Sequence, residues 1–190
     1  MIIGVLAVQG AFAEHEKILD SLGIPYKELR QKADLEIPYD GFILPGGEST
    51  VQSKLLNDLD MAAPLKAQME AGAAVLATCA GLILLAEKIE GEGRGCLGLI
   101  PMDVRRNAYG RQLASFYTEG ELKGTGRVPM TFIRAPYVTC VSPKVSVLAK
   151  VNGNIVAVQY KKMIALSFHP ELDSDLKIHR KFIDLAGGRR

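Results

Sequence analysis

The sequence has 190 residues, a length typical of one domain whose core is stable without disulfides or metals. Its 23 Lys and Arg residues nearly balance 21 Asp and Glu residues, and this formal charge of +2 argues against nucleic acid or a membrane surface as a ligand. Three cysteines at irregular spacing, without a CxxC pair, predict neither a disulfide framework nor a zinc site and suit a reducing cytoplasm. We therefore expect a single cytoplasmic domain over residues 1–190.

The chain begins with a short apolar run, residues 2–8, that is rich in β-branched side chains. This run is too short to span a membrane and lacks the basic region of an export signal. It predicts a central parallel strand that is buried on both faces. Residues 12–22 change to helical spacing and predict a helix, which Gly23 and Pro25 end.

Strand and helix patterns then alternate through the first half of the chain. Further strands are predicted at 26–29, 41–44 and 74–78, and helices at 50–56, 63–71 and 80–89. This order predicts an α/β fold, in which right-handed crossovers place helices on both faces of a mostly parallel sheet.

The second half of the chain has a different pattern, with short β-rich runs between Gly, Pro and Asn residues. The clearest runs are 130–133, 145–151, 155–160 and 163–168. The Asn152-Gly153 pair between two of them predicts a type I′ hairpin turn. A last helix is predicted at 173–186. The predicted fold is therefore a three-layer α/β arrangement with a β-rich second half.

One cysteine stands where a predicted strand turns directly into a helix, in the segment Thr78-Cys79-Ala80-Gly81. Open α/β folds place their ligands at this carboxyl edge of the sheet, and a helix N-terminus favours an ionised thiol. The small residues Ala80 and Gly81 permit the tight bend of a nucleophile elbow. The alternative is a buried structural cysteine.

A histidine and a carboxylate follow another predicted strand, in His169-Pro170-Glu171. A nucleophilic cysteine needs a base, and that base needs a third group that fixes its orientation. The alternative is a surface histidine beside an unrelated acid. His15 and His179 lie in charged helical segments, where we expect a solvated surface role, so His169 is the predicted base.

The loop Pro45-Gly46-Gly47-Glu48-Ser49 forms a third strand-to-helix turn. The amide of Gly47, together with that of Ala80, would stabilise the oxyanion of a tetrahedral intermediate. A plain turn with Ser49 as helix N-cap and an anion site at the helix terminus are alternatives. Separately, Arg134 follows an apolar run, where a buried guanidinium would suit a carboxylate ligand; an ordinary surface charge is the alternative.

The motifs PGGEST (45–50), TCAGLILLA (78–86) and SFHPE (167–171), in this order, resemble the class I glutamine amidotransferases. The segments GVLAVQGA (4–11) and RNAYGRQ (106–112) are similar to the glutaminase subunits of two-component pyridoxal 5′-phosphate synthases within that family. The resemblance spans nearly the whole chain and implies a flavodoxin-like fold. Ala77 replaces the usual glycine and Ala108 a frequent serine, and neither change removes a catalytic group.

The resemblance implies a glutaminase that converts L-glutamine to L-glutamate and ammonia through a glutamyl thioester, without a metal or cofactor. In this reading Cys79 is the nucleophile, His169 the base and acid, and Glu171 the group that orients it. Gln9 would lie near the oxyanion hole and respond to partner docking. The implied glutamine contacts are Gly47, Glu48, Ser49, Arg106, Ile133 and Arg134.

The resemblance also implies a protein partner, a (β/α)8-barrel synthase subunit that uses the ammonia to make pyridoxal 5′-phosphate (vitamin B6). The isolated chain would then be a weak glutaminase that the partner activates. Alternatives are a glutaminase that serves another biosynthetic synthase, a cysteine hydrolase or protease of the same fold, and a noncatalytic interaction module.

Overall fold

The computed structural model describes residues 1–106 and 115–187, and the elements below refer to those residues. The strands are β1 (Ile3–Leu6), β2 (Tyr26–Leu29), β3 (Gly41–Leu44), β4 (Ala74–Thr78), β5 (Ala86–Ile89), β6 (Ile100–Arg105), β7 (Ser115–Leu122), β8 (Gly126–Ile133), β9 (Tyr137–Val141), β10 (Ser146–Val151), β11 (Asn154–Tyr160) and β12 (Met163–Leu166). The helices are α1 (Phe12–Ser21), α2 (Ser49–Asp58), α3 (Ala62–Glu70), α4 (Ala80–Leu85) and α5 (Lys177–Gly187), with 3-10 turns at Lys32–Leu35 and Pro170–Leu172.

Half of the main sheet is parallel, in the strand order β2-β1-β3-β4-β12. Alternate side chains of its strands point to opposite faces, so Phe42 and Val75 pack in one apolar cluster with α2, α3 and α4. Ile43 and Leu76 pack in a second cluster with α1 and α5. Helices therefore cover both faces, and the predicted three-layer α/β fold is confirmed.

The other half of the main sheet continues from β12 through β11, β9, β6 and β5, with β10 paired to β11. Its pairings are antiparallel except for β5 with β6. The predicted hairpin turn is confirmed between β10 and β11, where Asn152 and Gly153 have φ of 50° and 80°. Strands β7 and β8 form a separate antiparallel sheet, which packs Phe132 against Phe168 with ring centroids 5.6 Å apart.

The predicted helix at 80–89 is wrong in its second half, because α4 ends at Leu85 and 86–89 forms β5. Residue Ala86 has extended backbone angles, and the amides of Leu97 and Leu99 donate to the last carbonyls of α4, each at 2.9 Å. A short run that is apolar throughout carries no periodicity that separates helix from strand. The last helix begins at Lys177 rather than at 173, after the 3-10 turn.

Two further observations bear on the sequence-based expectations. Residues 107–112 of the RNAYGRQ segment lie outside the described residues. In the described ranges, no helix has the length and apolar character needed to cross a lipid bilayer.

Candidate active site

Three of the predicted motifs meet at one edge of the parallel half-sheet. Strands β3, β4 and β12 are neighbours in register, with Leu44 opposite Ala77 and Leu166 opposite Thr78. Their carboxyl ends therefore lie side by side, and the three following loops carry the glycine pair, the cysteine and the histidine. The Cys79 amide joins two of these strand ends, since it donates to the Leu166 carbonyl at 2.8 Å.

Cys79 lies on a sharp turn between β4 and α4. Its backbone has φ 47° and ψ −97°, a conformation that costs a non-glycine residue about 1–3 kcal/mol. Gly81 allows the close approach of α4 to β3, because a Cβ there would overlap the Leu44 carbonyl. The Cys79 side chain is 8% exposed, and its thiol donates to the Ile133 carbonyl at 3.8 Å. A merely structural cysteine would not require this strained backbone.

The His169 imidazole lies between the thiol and a buried carboxylate. Its Nδ1 donates to Glu171 Oε1 at 2.7 Å, and its interaction with Cys79 raises its pKa. His169 and Glu171 are both buried, at 7% and 6% exposure, so the alternative of a surface histidine is wrong. A Cβ on Gly46 would overlap the His169 ring, which shows that the imidazole rests directly on the backbone of that glycine.

The electrostatics of this pair favour its charged form. Burial alone lowers the pKa of His169, but the hydrogen bonds with Cys79 and Glu171 and the carboxylate charge raise it to about 10. Burial opposes ionisation of Glu171, yet His15 and His169 together bring its pKa below the usual value. The carboxylate is therefore ionised at neutral pH, where it can hold the Nδ1–H of His169.

The two predicted oxyanion donors lie on adjacent loops of the same sheet edge. Ala80 is the first residue of α4, so its N–H has no carbonyl partner within the helix. Gly47 follows Gly46, whose amide donates to Thr78 Oγ1 of the neighbouring strand at 2.9 Å. The structure thus brings both loops to the cysteine.

Gln9 contacts the glycine loop directly. Its Oε1 accepts the Glu48 amide at 2.9 Å, and its backbone carbonyl accepts Gln52 Nε2 at 2.9 Å. A Cβ on Gly47 would overlap Gln9 Oε1. The conformation of the glycine loop is therefore tied to the segment that follows β1.

The residues assigned to glutamine lie on two sides of the cysteine. Glu48 is exposed, whereas Ser49 is 5% exposed and is the first residue of α2. The alternative of Ser49 as N-cap is wrong, since Glu48 occupies that position. Arg106 reaches this helix, where Nη1 donates to Thr50 Oγ1 at 3.1 Å. Its Nε is also 3.1 Å from Glu92 Oε1.

The second group of residues assigned to glutamine lies at the end of β8. This strand ends at Ile133, and the Ile133 carbonyl accepts from the Cys79 thiol. Arg134 follows with φ 44° and is exposed, so the buried guanidinium considered for this position is wrong. An exposed guanidinium on the residue that follows Ile133 can receive a carboxylate from solvent.

The predicted surface role of His15 and His179 is wrong, because both side chains are 0% exposed. His15 shares the inner face of α1 with Ile18 and Leu19, three and four residues later, and His179 shares that of α5 with Phe182. The charged neighbours of these histidines point outward. Helical spacing alone, applied without regard to the charged neighbours, would have placed both residues inside.

Residues 5–186 match the model of the SNO glutamine amidotransferase family. The sequence is 57% identical over its full length to the pyridoxal 5′-phosphate synthase subunit PdxT of Desulfitobacterium hafniense, covering 96% of that protein. It is 52% identical over 98% of its length to the subunit of the same name from Streptococcus pneumoniae, covering 98% of that protein.

Two solved structures resemble this chain to different degrees. A crystal structure described as a glutamine amidotransferase superposes with a TM-score of 0.92 at 42% identity, covering 99% of this chain and 100% of that one. The PurLQS structure from Thermotoga maritima superposes with a TM-score of 0.68 at 14% identity, covering 96% and 97%, and shows the shared fold only.

Proposed function

The chain belongs to the SNO glutamine amidotransferase family, and we propose that residues 1–190 form one glutaminase domain that supplies ammonia to a pyridoxal 5′-phosphate synthase. The observation that carries this proposal is the buried Cys79, His169 and Glu171 array on a strained strand-to-helix turn. The relatives of similar length are named as subunits of pyridoxal 5′-phosphate synthase, which supports the choice of synthase.

The first step is acylation of the cysteine. His169 holds the proton that comes from the thiol, in keeping with its raised pKa, and Cys79 Sγ attacks the side-chain amide carbon of glutamine. The oxyanion that forms accepts hydrogen bonds from the Gly47 and Ala80 amides, which are fixed by the backbone before substrate arrives. Glu171 holds the Nδ1–H of His169 at 2.7 Å and balances the charge of the imidazolium.

The second step releases ammonia and then glutamate. The imidazolium donates its proton to the leaving nitrogen, the C–N bond breaks, and a γ-glutamyl thioester remains on Cys79. Water then loses a proton to His169 and attacks the thioester carbon. Collapse of that intermediate breaks the C–S bond, returns the proton to the thiol and releases L-glutamate.

Substrate recognition is assigned to the two loops beside the cysteine. The exposed guanidinium of Arg134 suits the α-carboxylate of glutamine, and the carbonyl of Ile133 is an acceptor for an amino or amide group. Gly47, Glu48 and Ser49 form the opposite wall. Arg106 positions that wall through Thr50.

We assign the ammonia acceptor as a (β/α)8-barrel synthase subunit that docks over this edge in the cytoplasm. Ammonia released into neutral water is mostly protonated and no longer nucleophilic, so delivery requires a closed route to the second site. We assign to Gln9 the coupling of docking to catalysis; the hydrogen bond to Gln9 from the Glu48 amide, on the loop that carries Gly47, supports this assignment. The isolated chain would then hydrolyse glutamine slowly.

The test is glutamate release from L-glutamine, with and without the barrel subunit, for wild type and Cys79→Ala. Cys96→Ala is the matched control, since Cys96 is half-buried but lies beside Ser53 and Asn57. We expect partner-stimulated release by wild type and Cys96→Ala and none by Cys79→Ala. Undiminished glutamate release by Cys79→Ala would overturn the proposal. Hydrolysis of peptide substrates by the wild type, without glutamate release from L-glutamine, would also overturn it.

A further inference from the structure

A buried cluster lies directly behind the catalytic carboxylate and has no role in the steps above. It consists of Thr78 from β4, His15 from α1 and His179 from α5, all 0% exposed. His15 Nε2 is 3.5 Å from Glu171 Oε2 and 3.3 Å from Thr78 Oγ1. On the far side of the same ring, His15 Nδ1 is 2.9 Å from His179 Nε2. The cluster therefore connects two helices to the back of Glu171.

The two oxygens of Glu171 have different surroundings. Oε1 accepts from His169 Nδ1 at 2.7 Å and from Thr78 Oγ1 at 3.4 Å. Oε2 is buried and makes no hydrogen bond that meets strict geometry within the described residues. The His15 Nε2 at 3.5 Å is the group that faces it. Whether Oε2 is held therefore depends on whether His15 Nε2 carries a proton or a lone pair.

Hydrogen-bond accounting selects one tautomer for each ring. If His179 Nε2–H donates to His15 Nδ1, then His15 Nε2–H points at Glu171 Oε2 and Thr78 Oγ1, and every N–H has an acceptor. In the opposite arrangement His15 Nδ1–H donates to His179 Nε2, and His15 Nε2 then points a lone pair at the carboxylate. This arrangement also gives His179 Nδ1 a proton, although this buried atom has no partner among the described residues.

We propose that His15 is a positioning residue that holds the second oxygen of Glu171, and that His179 fixes His15 in its Nε2-protonated tautomer. The proposal rests on the glutaminase mechanism above and adds two residues to it. His15 and His179 would act through Glu171 on the orientation of His169, without touching the substrate. Both rings make hydrogen bonds in the buried cluster, His15 to His179 and to Thr78.

The charges around the cluster fit neutral rings. Burial lowers the pKa of His15; the charge of Glu171 opposes this effect, that of His169 adds to it, and that of Glu14 opposes it, with a net lowering. Burial and the neighbouring His15 lower the pKa of His179 to about 3, with Glu171 as its acidic neighbour. A neutral His15 can donate a hydrogen bond without competing as a cation for Glu171. The full carboxylate charge then remains available to His169.

The direct test is nitrogen NMR of the full chain with 15N-labelled histidine. The sequence contains three histidines, so single substitutions at His15, His169 and His179 assign every ring signal. We expect His15 and His179 to remain neutral and Nε2-protonated from pH 6 to pH 8. An unperturbed imidazole would change its charge within this pH range. A His15 ring that titrates in this range, or is protonated on Nδ1 when neutral, would overturn the proposal whatever the enzyme's activity.

The functional test compares two substitutions of similar size, assayed with the barrel subunit. His15→Gln keeps an amide N–H that can reach the carboxylate, whereas His15→Leu removes the donor. We expect kcat of His15→Leu to fall about 10- to 100-fold, the range seen when an outer hydrogen-bond partner of a metal-bound histidine is lost, with KM unchanged. His15→Gln should recover most of that loss. Equal losses in the two variants would contradict a positioning role.

A third variant keeps the proposal testable if one of the first two does not fold. His179→Phe keeps a ring in the same space but cannot donate to His15, so we expect a smaller fall in kcat and a mixture of His15 tautomers in the NMR spectrum. If His15→Leu does not fold, His15→Gln, His179→Phe and the wild-type spectrum still decide. If the wild type shows no cysteine-dependent glutamate release, the proposed function is refuted, but the tautomer assignment is not.

Discussion

The two sides of Glu171 carry the same type of side chain in opposite electrostatic states. On the front, His169 lies between a thiol and the carboxylate, and its pKa is raised to about 10. On the back, His179 packs against another imidazole, and its pKa is lowered to about 3. Burial lowers the pKa on both sides, but at His169 the hydrogen bonds with Cys79 and Glu171 outweigh it, whereas at His179 burial remains the largest influence. His169 is therefore the proton carrier and His179 the neutral support.

Among substitutions on the two sides of Glu171, the largest effect is expected from Glu171→Gln, which removes the charge shared by both sides. We expect kcat to fall by about 10⁴-fold, as when a triad loses the acid that sets the tautomer of its histidine. The measurement is glutamate release in the presence of the barrel subunit. Glu119→Gln on β7 is the control, because that exposed residue pairs with Arg127 and is hydrogen-bonded to Tyr117, both on its own two-stranded sheet. Near wild-type turnover by Glu171→Gln would exclude its orienting role.

Gly46→Ala perturbs the front side directly. The added Cβ would overlap the His169 ring, and displacement of a catalytic group by about 1 Å can reduce the rate about 100-fold. Gly23→Ala is the matched control, since its Cβ meets nothing within 4 Å and its φ of +66° affects stability only. Steady-state kinetics should separate the two variants. A fully active Gly46→Ala would show that His169 does not need this position.

A pH series on His169→Gln tests the raised pKa of the front histidine. Because the folded pKa of about 10 exceeds the ordinary value of 6.5, the stabilising contribution of His169 is fully present below pH 6.5 and is lost as the pH rises to about 10. The difference in free energy of unfolding between wild type and variant should therefore shrink over this range in denaturant titrations. A difference that is constant with pH would contradict the charged pair.

The back histidine should give the opposite dependence. Because the folded pKa of His179 is about 3, below the ordinary 6.5, protonation of the unfolded chain destabilises the wild type as the pH falls from 6.5 towards 3. His179→Phe removes this proton uptake, so the variant should gain stability relative to wild type on acidification. Parallel acid-unfolding curves would show that His179 is not held neutral.

The sequence allowed prediction of the front side because each of its groups follows a predicted strand. Cys79, His169 and the Gly47 loop come together once β3, β4 and β12 pair in parallel, and such strands end at one edge. The back side was mispredicted because Glu14 and Glu16 flank His15, although His15 is in helical register with Leu19. The end of α4 could not be predicted, since residues 80–85 are buried on every side.

The central claim is that the cysteine of the front side forms a covalent intermediate with glutamine. The most direct measurement is rapid acid quenching of the wild-type chain during turnover with the barrel subunit, followed by mass spectrometry of its peptides. We predict a γ-glutamyl adduct on the Cys79 peptide and none on the peptides of Cys96 or Cys140, and no adduct in Cys79→Ala. Turnover without an adduct on Cys79, or with an adduct on another cysteine, would contradict the account.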